Sequence, residues 1–247
     1  MIRADRQALT AGMIMLLARR TPYLESEMLG LRDLVRPGSV CIDIGAAAGL
    51  YTAALAQLAG PQGEVHSIEP LAFAHPVWSR VLRAGSGPNV RHYTEALGAE
   101  PGQGMMSVPM GRYGFVTGRS FLDWKTRGLG SNEEFAGQIS VAVDVETLDD
   151  FRTRVGLTRL DFIKIDVEGA ELRVLEGGQR TIEEFRPAML IEIEARHTSR
   201  YQYSPDDIVD WLTKRSYVMH VWQGGWQETD TVCAHARNYL FRQPAAG

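Results

Sequence analysis

Short apolar runs rich in β-branched residues alternate along the chain with longer segments of helical spacing. The apolar runs predict strands, and several of them end in an acidic residue. Because helical segments separate successive strands, the pattern is typical of a mostly parallel sheet with helices on both faces. The predicted strands cover residues 40–43, 63–69, 89–94, 160–166, 187–194, 217–222 and 237–241.

The first 35 residues have helical spacing and a helix-forming composition. Thr21-Pro22 divides them into two predicted helices, since proline is tolerated at a helix start but not inside a helix. We expect residues 1–35 to form a helical cap on a main domain at 36–247. Three roles stay open for this cap: covering a ligand pocket, making a homodimer contact, or packing against the sheet edge.

Glycines and scattered aromatic residues interrupt the alternating pattern between residues 98 and 143. Their spacing does not suit a helix, whereas 105–110 and 139–145 are predicted to form short strands joined by a long loop. Long loops inside compact domains are usually functional or mobile. We therefore predict an insertion that is either a surface feature or a substrate-facing lid at 111–130. The candidate lid contacts are Tyr113, Phe115, Phe121 and Trp124.

Composition narrows the functional classes. The 247 residues carry a formal net charge of −4 and no basic stripe, so a nucleic-acid partner has little electrostatic support. Cys41 and Cys233 are too few for a disulfide framework or a zinc cluster. The sequence contains neither a signal-peptide pattern nor the roughly 18 apolar residues that a membrane span needs. We therefore expect a cytoplasmic protein without a membrane span.

A strand, a glycine turn and a helix start follow one another between Val40 and Thr52. Gly45 and Gly49 lack a Cβ, so a ligand can approach the main chain and the free N–H groups of the helix start. A nucleotide-like ligand suits such a turn. A dinucleotide fingerprint is excluded because Ala47 and Leu50 occupy its second and third glycine positions, and the Gly-Lys-Ser/Thr of a P-loop is missing.

Two acidic residues accompany this turn. Asp43 precedes Gly45 by two positions and suits a cationic or hydroxyl-bearing ligand. Glu69 ends the next predicted strand, in the window of about 20 residues where an α/β nucleotide site places a ribose-binding carboxylate. We expect both acids to face one pocket with the turn.

These residues resemble a known family. The Asp-x-Gly-x-x-x-Gly turn at 43–49, with Glu69, is similar to the S-adenosylmethionine site of class I methyltransferases. Thr-Leu-Asp-Asp-Phe at 147–151 and Asp-Phe-Ile-Lys-Ile-Asp-Val-Glu-Gly-Ala-Glu-Leu-Arg-Val-Leu-Glu-Gly-Gly at 161–178 are more specifically similar to FkbM-type methyltransferases. The resemblance extends over about 35–241 and implies an α/β, Rossmann-like fold with a seven-stranded, mostly parallel sheet.

The resemblance also implies a cofactor and its contacts. S-adenosylmethionine would place its methionine portion near Asp43, its ribose hydroxyls on Glu69 and its adenine close to Glu95. The residues expected to bind it are Asp43, Gly45, Ala46, Ala47, Gly49, Tyr51, Thr52, Glu69, Pro70, Glu95, Ala96 and Asp166.

Acidic and imidazole groups at two neighbouring strand ends are the candidate catalysts. Asp166 ends the fourth predicted strand, at the sheet edge where open α/β sheets bind ligands. Glu192 and Glu194 share one face of the fifth strand by the two-residue period, and His197 follows that strand. We expect catalysis from Asp166, His197 and Glu194. Either Asp166 or His197 takes a proton, the latter because its ordinary pKa lies near operating pH.

The expected reaction is methyl transfer from S-adenosylmethionine to a hydroxyl of a small molecule such as a sugar or polyketide-type natural product. One alternative is a nucleic-acid methyltransferase, whose amino-directed forms resemble Asn/Asp-Pro-Pro-Tyr/Phe where this chain has Ile-Asp-Val-Glu at 165–168. The other is a catalytically silent cofactor-binding subunit. A Mg²⁺ ion is left open, with candidate ligands Asp166, Glu192, Glu194 and His197.

Overall fold

A computed structural model describes residues 25–71, 87–112, 114–233 and 235–244. The strands are β1 (Val40–Ile44), β2 (Glu64–Ile68), β3 (Val90–Tyr93), β4 (Ala96–Leu97), β5 (Gly102–Gly111), β6 (Gly114–Phe115), β7 (Phe121–Asp123), β8 (Gly137–Glu146), β9 (Phe162–Ile165), β10 (Ala188–Glu192), β11 (Val218–Trp222), β12 (Trp226–Glu228) and β13 (Asn238–Arg242). The α-helices are α1 (Leu50–Ala59), α2 (Leu148–Val155), α3 (Glu171–Gly177), α4 (Gln179–Phe185), α5 (Ala195–Thr198) and α6 (Pro205–Thr213). Short 3-10 helices cover Ser26–Asp33, Thr117–Arg119, Gly130–Glu134 and Ser199–Tyr201.

In the part of the chain that the structure describes, eight strands form the main sheet, in the order β3-β2-β1-β9-β10-β13-β11-β12. The strands from β3 to β10 are parallel, and β13 runs antiparallel to both of its neighbours. This confirms the predicted mostly parallel sheet. The chain runs from β1 outward to β3 and later returns to the other side of β1 with β9. Ligands of open α/β sheets bind at the carboxyl ends of the strands at such a reversal, here β1 and β9.

Within the described residues, the main sheet has one strand more than the seven predicted. Gly224-Gly225, expected between the last two predicted strands, instead folds β12 back onto β11. Gly224 has φ +77, a conformation that suits a tight turn. The chain then inserts β13 between β10 and β11, so Trp226–Glu228 is left as an additional strand at the edge.

Alternate residues of the central strands point to opposite faces of the sheet and build two hydrophobic clusters. Cys41 and Phe162 are buried with Ala54 of α1 on one face. Ile42 and Ile163 are buried on the other face, with apolar residues of α2, α3, α4 and α6. Helices therefore cover both faces, as the alternating pattern predicts.

Helix boundaries follow from local backbone chemistry. Helix α1 covers the predicted 50–59 and lies between Gly49 and Gly60, which have φ values of +88 and +67. The Thr147 hydroxyl accepts the Asp150 N–H at 3.0 Å and caps α2. The helix predicted at 72–83 lies outside the described residues. Within the described ranges, every helix is too short or too polar to cross a membrane.

Part of the predicted N-terminal cap falls within the described residues, whereas its first helix lies outside them. Ser26–Asp33 is a 3-10 helix rather than an α-helix. Leu31 is buried against α1. A Cβ on Gly30 would come within 2.6 Å of the rings of Trp222 and Trp226. This segment therefore packs tightly beside β11 and β12.

The insertion at 98–143 contributes most of a second sheet. Strands β5 and β8 contain the two short strands expected at 105–110 and 139–145 and pair antiparallel along their lengths. Strands β6 and β7 pair with β5, and β4 pairs with β8. The described part of the insertion is thus built around its own sheet. Its 3-10 helix at Thr117–Arg119 lies next to the carboxyl ends of β1, β2 and β9.

Candidate active site

The turn after β1 lies at the carboxyl edge of the main sheet. Gly45 and Ala46 donate their N–H groups to the Ile68 carbonyl at 3.0 and 3.1 Å. Gly45 has φ +77, and a Cβ there would lie 1.8 Å from the Asp166 carbonyl oxygen. Glycine is required at position 45 because the main chain just after the carboxyl end of β9 passes so close to the turn.

Glu69 follows β2 and ties the turn to the chain beyond it. Its Oε2 accepts the Ala47 N–H at 2.8 Å, and its Oε1 accepts the Leu71 N–H at 2.7 Å. Ala47 has φ +45, a left-handed conformation that this hydrogen bond helps to hold. A carboxylate offers about four acceptor sites, so ligand hydroxyls can bind the same group.

Asp43 lies buried beneath the turn. Thr52 donates its hydroxyl to the Asp43 Oδ2 at 2.5 Å and lies 3.0 Å from the Ser67 hydroxyl. Burial raises the pKa of Asp43 to about 6, although the Thr52 hydrogen bond and the nearby Lys164 oppose this shift. Thr52 therefore holds the acid in place at the base of the turn.

Two adjoining cavities surround the turn. The larger, of about 320 Å³, opens beyond the ends of β1, β2, β9 and β10, and the smaller has a volume of about 260 Å³. Both are lined by Glu25, Gly45, Ala47, Gly118 and Asp166. Of the other predicted cofactor residues, the larger cavity adds Glu69, Pro70, Glu95 and Ala96, and the smaller adds Asp43, Ala46 and Tyr51. Gly49 and Thr52 line neither cavity; they start α1 and hold Asp43.

Asp166 is held from below by a buried lysine. The Lys164 ammonium donates to the Asp166 Oδ2 at 3.1 Å and to the Asn238 Oδ1 at 3.0 Å. Although burial opposes the charged form, the carboxylates of Asp166 and Glu25 hold the pKa of Lys164 above its ordinary value. The Tyr51 ring lies 5.1 Å from the ammonium, and its hydroxyl donates to Glu25 at 2.5 Å. The Asp166 carboxylate therefore has a fixed position between the two cavities.

His197, a predicted catalytic residue, lies behind the larger cavity and does not line it. Its side chain is 2% exposed, and its Nε2 lies 3.1 Å from the Glu168 Oε2. Burial, together with the Arg196 charge, lowers the pKa of His197, so the imidazole is neutral near pH 7. Glu168 and Glu192 stand between His197 and the cavity, because both of them line it.

Glu194, also a predicted catalytic residue, does not line the larger cavity, whereas its partners Arg196 and Arg237 do. Arg196 donates two hydrogen bonds to its carboxylate at 2.6 and 2.8 Å, and the Arg237 Nε lies 3.5 Å away. Although partial burial opposes ionisation, Arg196 keeps the pKa of Glu194 below its usual range. Strand β10 ends at Glu192, so the expected alternation does not extend to position 194.

The insertion supplies Thr117–Ser120 to the wall of the larger cavity. The aromatic residues expected to contact a substrate lie elsewhere or outside the described chain. Phe115 is 51% exposed, and Phe121 is buried in a small cluster beside the main site. Trp124 lines a separate cavity, and Tyr113 lies outside the described residues. Met106 and Leu122 of the insertion also line this cavity, so the part of the insertion that reaches the site combines polar and aliphatic residues rather than the predicted aromatic ones.

Several cavity residues were missed by the sequence prediction: Glu25, Lys164, Glu168 and Arg119. Lys164 did carry a signal, because a lysine inside an apolar strand must be paired when it is buried. Nothing in the sequence around Arg119 and Glu25 indicates that they reach the cavity. Their positions depend on how the insertion and the N-terminal segment fold back over the sheet.

The sheet order, the glycine turn after β1 and the acid after β2 define a class I, Rossmann-like S-adenosylmethionine-binding methyltransferase fold. Methyltransferase FkbM from Methylobacillus flagellatus KT is similar in structure over 95% of this chain and 58% of its own, with a TM-score of 0.50 and 18% identity. Cofactor-bound Rv0187 from MTB is similar over 96% of this chain and 88% of its own, with a TM-score of 0.50 and 15% identity. These similarities establish the fold.

Residues 43–219 match the family model described as the Methyltransferase FkbM domain, and the chain belongs to that family of S-adenosylmethionine-dependent methyltransferases. The resemblance found in the sequence is thereby confirmed. Methyltransferase sdnD from Sordaria araneosa is 28% identical over 157 residues, which are 55% of this chain and 59% of that relative. The chain thus spans less than two thirds of the curated relative's length.

Proposed function

We propose that the protein transfers the methyl group of S-adenosylmethionine to a hydroxyl oxygen of a small molecule, such as a sugar or a polyketide-type natural product. The position of Asp166 carries this proposal. Its side chain lines both cavities, and Lys164 fixes its carboxylate between them. A carboxylate so placed can accept a proton from an acceptor that meets the cofactor there.

The residues around the turn fit the proposed cofactor. Glu69 is positioned to accept hydrogen bonds from the ribose hydroxyls, and Glu95 and Ala96 form the adenine end of the larger cavity. Asp43 and Asp166 line the smaller cavity, where carboxylates favour the cationic methionine portion. Gly45 leaves room for a ligand to approach the main chain. The bound cofactor supplies a methyl group that is already electrophilic.

The chain's own contribution is alignment and proton removal. The cavity walls fix the acceptor oxygen close to the methyl carbon, which replaces a bimolecular encounter with an oriented one. Asp166 takes the hydroxyl proton as the oxygen attacks. His197 supports the acids at the cavity floor, since Glu168 and Glu192 separate it from the acceptor.

The charge of the larger cavity favours a small acceptor without phosphate groups over a nucleic acid. Six carboxyl side chains line this cavity against three guanidinium groups: Glu25, Glu69, Glu95, Asp166, Glu168 and Glu192, with Arg119, Arg196 and Arg237. Burial raises the pKa of Glu168 to about 8 and that of Glu192 to about 10, so four carboxylates face the three guanidinium groups near pH 7. The small excess of negative charge favours the cofactor's positive charge over polyphosphate. Nucleic-acid binding relies instead on clustered Lys and Arg that neutralise phosphates.

Incubation with methyl-labelled S-adenosylmethionine and a panel of acceptors tests this proposal. The panel contains hydroxylated sugars and polyketide-type compounds, their amino analogues, and RNA. We expect S-adenosylhomocysteine to form with at least one hydroxylated compound, and mass spectrometry to place the label in a methyl ether. Label confined to amines or RNA would overturn the proposed acceptor class. Tight cofactor binding without transfer to any member would instead favour a catalytically silent subunit.

A further inference from the structure

Three side chains converge behind the floor of the larger cavity. Glu168 follows β9, Glu192 ends β10, and His197 lies in α5. His197 is 2% exposed and Glu192 is 7% exposed. The His197 Nε2 lies 3.1 Å from the Glu168 Oε2, and the His197 Nδ1 lies 3.7 Å from the Glu192 Oε2. One potential ligand atom from each residue falls within 4.8 Å of the others.

The polar atoms at the centre of this cluster lack hydrogen-bond partners among the described residues. They are the Glu168 Oε2, the Glu192 Oε2 and the His197 Nε2. A buried polar atom without a hydrogen-bond partner destabilises the fold, so such atoms are rare. The His197 and Glu168 atoms are close but not aligned as donor and acceptor. Atoms that converge on a common ion have this arrangement.

Local structure holds the cluster in place. Glu168 has φ +57, a strained conformation for a residue with a side chain. A Cβ on Gly169 would lie 2.5 Å from the His197 carbonyl oxygen, so the turn packs directly on α5. Arg200 donates to the Glu168 carbonyl at 2.8 Å and joins the same two segments. The strained turn thus directs the Glu168 side chain towards His197.

We propose that Glu168, Glu192 and His197 bind a divalent transition-metal cation such as Mn²⁺. Metal–ligand bonds of about 2.0–2.2 Å place neighbouring ligand atoms about 3 Å apart and opposite ones about 4.2 Å apart. The 3.1 Å contact matches neighbouring ligands. Because the ligand atoms all lie within 4.8 Å of one another, a small inward movement is enough to bring them to these distances. An imidazole with two carboxylates favours Mn²⁺, Fe²⁺ or Zn²⁺ over Ca²⁺.

This ligand set differs from the Mg²⁺ ligands considered from the sequence. Lys164 lies 3.1 Å from the Asp166 carboxylate and competes with a cation for it. Arg196 pairs with the Glu194 carboxylate and likewise competes with a cation for it. A second group of acids, Glu25, Asp166 and Glu192, also lies within ligand distance. That group shares Glu192 with the proposed site but contains no imidazole, which allows an experiment to separate the two.

The cation's role in catalysis rests on the proposed methyl transfer to oxygen, whereas its binding does not. Glu168 and Glu192 both line the larger cavity, so a cation bound to their buried oxygens lies directly behind the space that an acceptor would occupy. A divalent cation lowers the pKa of a bound hydroxyl and orients it. Asp166 lines the same cavity and receives the proton.

Calorimetric titration of chelator-treated protein with MnCl₂, together with elemental analysis, tests the site. We expect wild type to bind one Mn²⁺ per chain. Glu168→Gln, Glu192→Gln and His197→Gln should each weaken Mn²⁺ binding by at least about tenfold. Glu194→Gln is the matched control, because it removes a neighbouring acid that is paired with Arg196, and it should bind as wild type does. The electron paramagnetic resonance spectrum of bound Mn²⁺ should show hyperfine coupling to the imidazole nitrogen, and this coupling should disappear in His197→Gln.

Wild type that binds no Mn²⁺ would overturn the site. Loss of binding in Glu25→Gln with retention in His197→Gln would also overturn it, because the ion would then lie among the other acids. Circular dichroism and titration with S-adenosylhomocysteine establish that each variant is folded. If wild type binds Mn²⁺ but not S-adenosylhomocysteine, the result contradicts the proposed function and still supports the metal site.

Discussion

Replacing Gly45 with alanine is expected to weaken S-adenosylmethionine binding by more than about 100-fold. The left-handed conformation at φ +77 costs a residue with a Cβ roughly 1–2 kcal/mol. The new Cβ would also lie 1.8 Å from the Asp166 carbonyl oxygen, so the turn and the end of β9 must separate. Both elements line the cavities, and their separation displaces Asp166. Isothermal titration with S-adenosylmethionine measures the effect.

Gly38→Ala is the matched control for this substitution. Gly38 also has positive φ, at +87, but a Cβ there would meet nothing within 4 Å. We expect it to lose about 1 kcal/mol of stability from backbone conformation and to bind the cofactor normally. Normal cofactor binding by a folded Gly45→Ala protein would contradict the assignment of this turn to the cofactor.

Asp166→Asn is expected to lower kcat by about 10²- to 10⁴-fold, the range that general acid–base catalysis contributes. The amide keeps a similar shape and an oxygen that can accept from Lys164, but it cannot accept a proton at neutral pH. Cofactor binding should change by only a few-fold. Methyl transfer at saturating cofactor and acceptor, using an acceptor identified by the panel, separates the two effects.

Asp161→Asn provides the comparison for the loss of an acid next to β9. Asp161 lies just before the amino end of β9, whereas Asp166 follows the carboxyl end. Asp161 accepts the Val40 N–H at 2.8 Å, a hydrogen bond that asparagine can retain. This variant should keep wild-type kcat. An Asp166→Asn protein that turns over at the wild-type rate would exclude Asp166 as the proton acceptor. Glu168, which lines the same cavity, would then be the next candidate for that role.

The main sheet could be predicted because its signals are local. The apolar run of β1, the glycines at 45 and 49 and the helix 50–59 each depend on neighbours in the sequence, and the structure places them as expected. The acids at 43 and 69 followed from their spacing relative to the turn. The extra strand β12 was missed because a glycine turn does not specify which strand pairs with which.

The floor of the site could not be predicted in the same way. A two-residue period places Glu192 and Glu194 on one face, but β10 ends at Glu192 and the chain enters α5. Beyond a strand end, the direction of a side chain depends on the backbone angles of the turn. Glu194 therefore pairs with Arg196 instead of lining the cavity itself. Glu168 reaches the cluster because its φ is +57, a value that no sequence period indicates.

Isothermal titration of wild type and Glu69→Ala with S-adenosylmethionine and S-adenosylhomocysteine tests the central claim most directly. We predict micromolar binding to wild type that weakens by about 1–3 kcal/mol in Glu69→Ala, since the ribose hydroxyls lose their carboxylate partner. Glu183→Gln, which removes an acid from α4 on the surface, should bind as wild type does. No binding of either ligand to folded wild type would contradict the cofactor site and every role assigned around it.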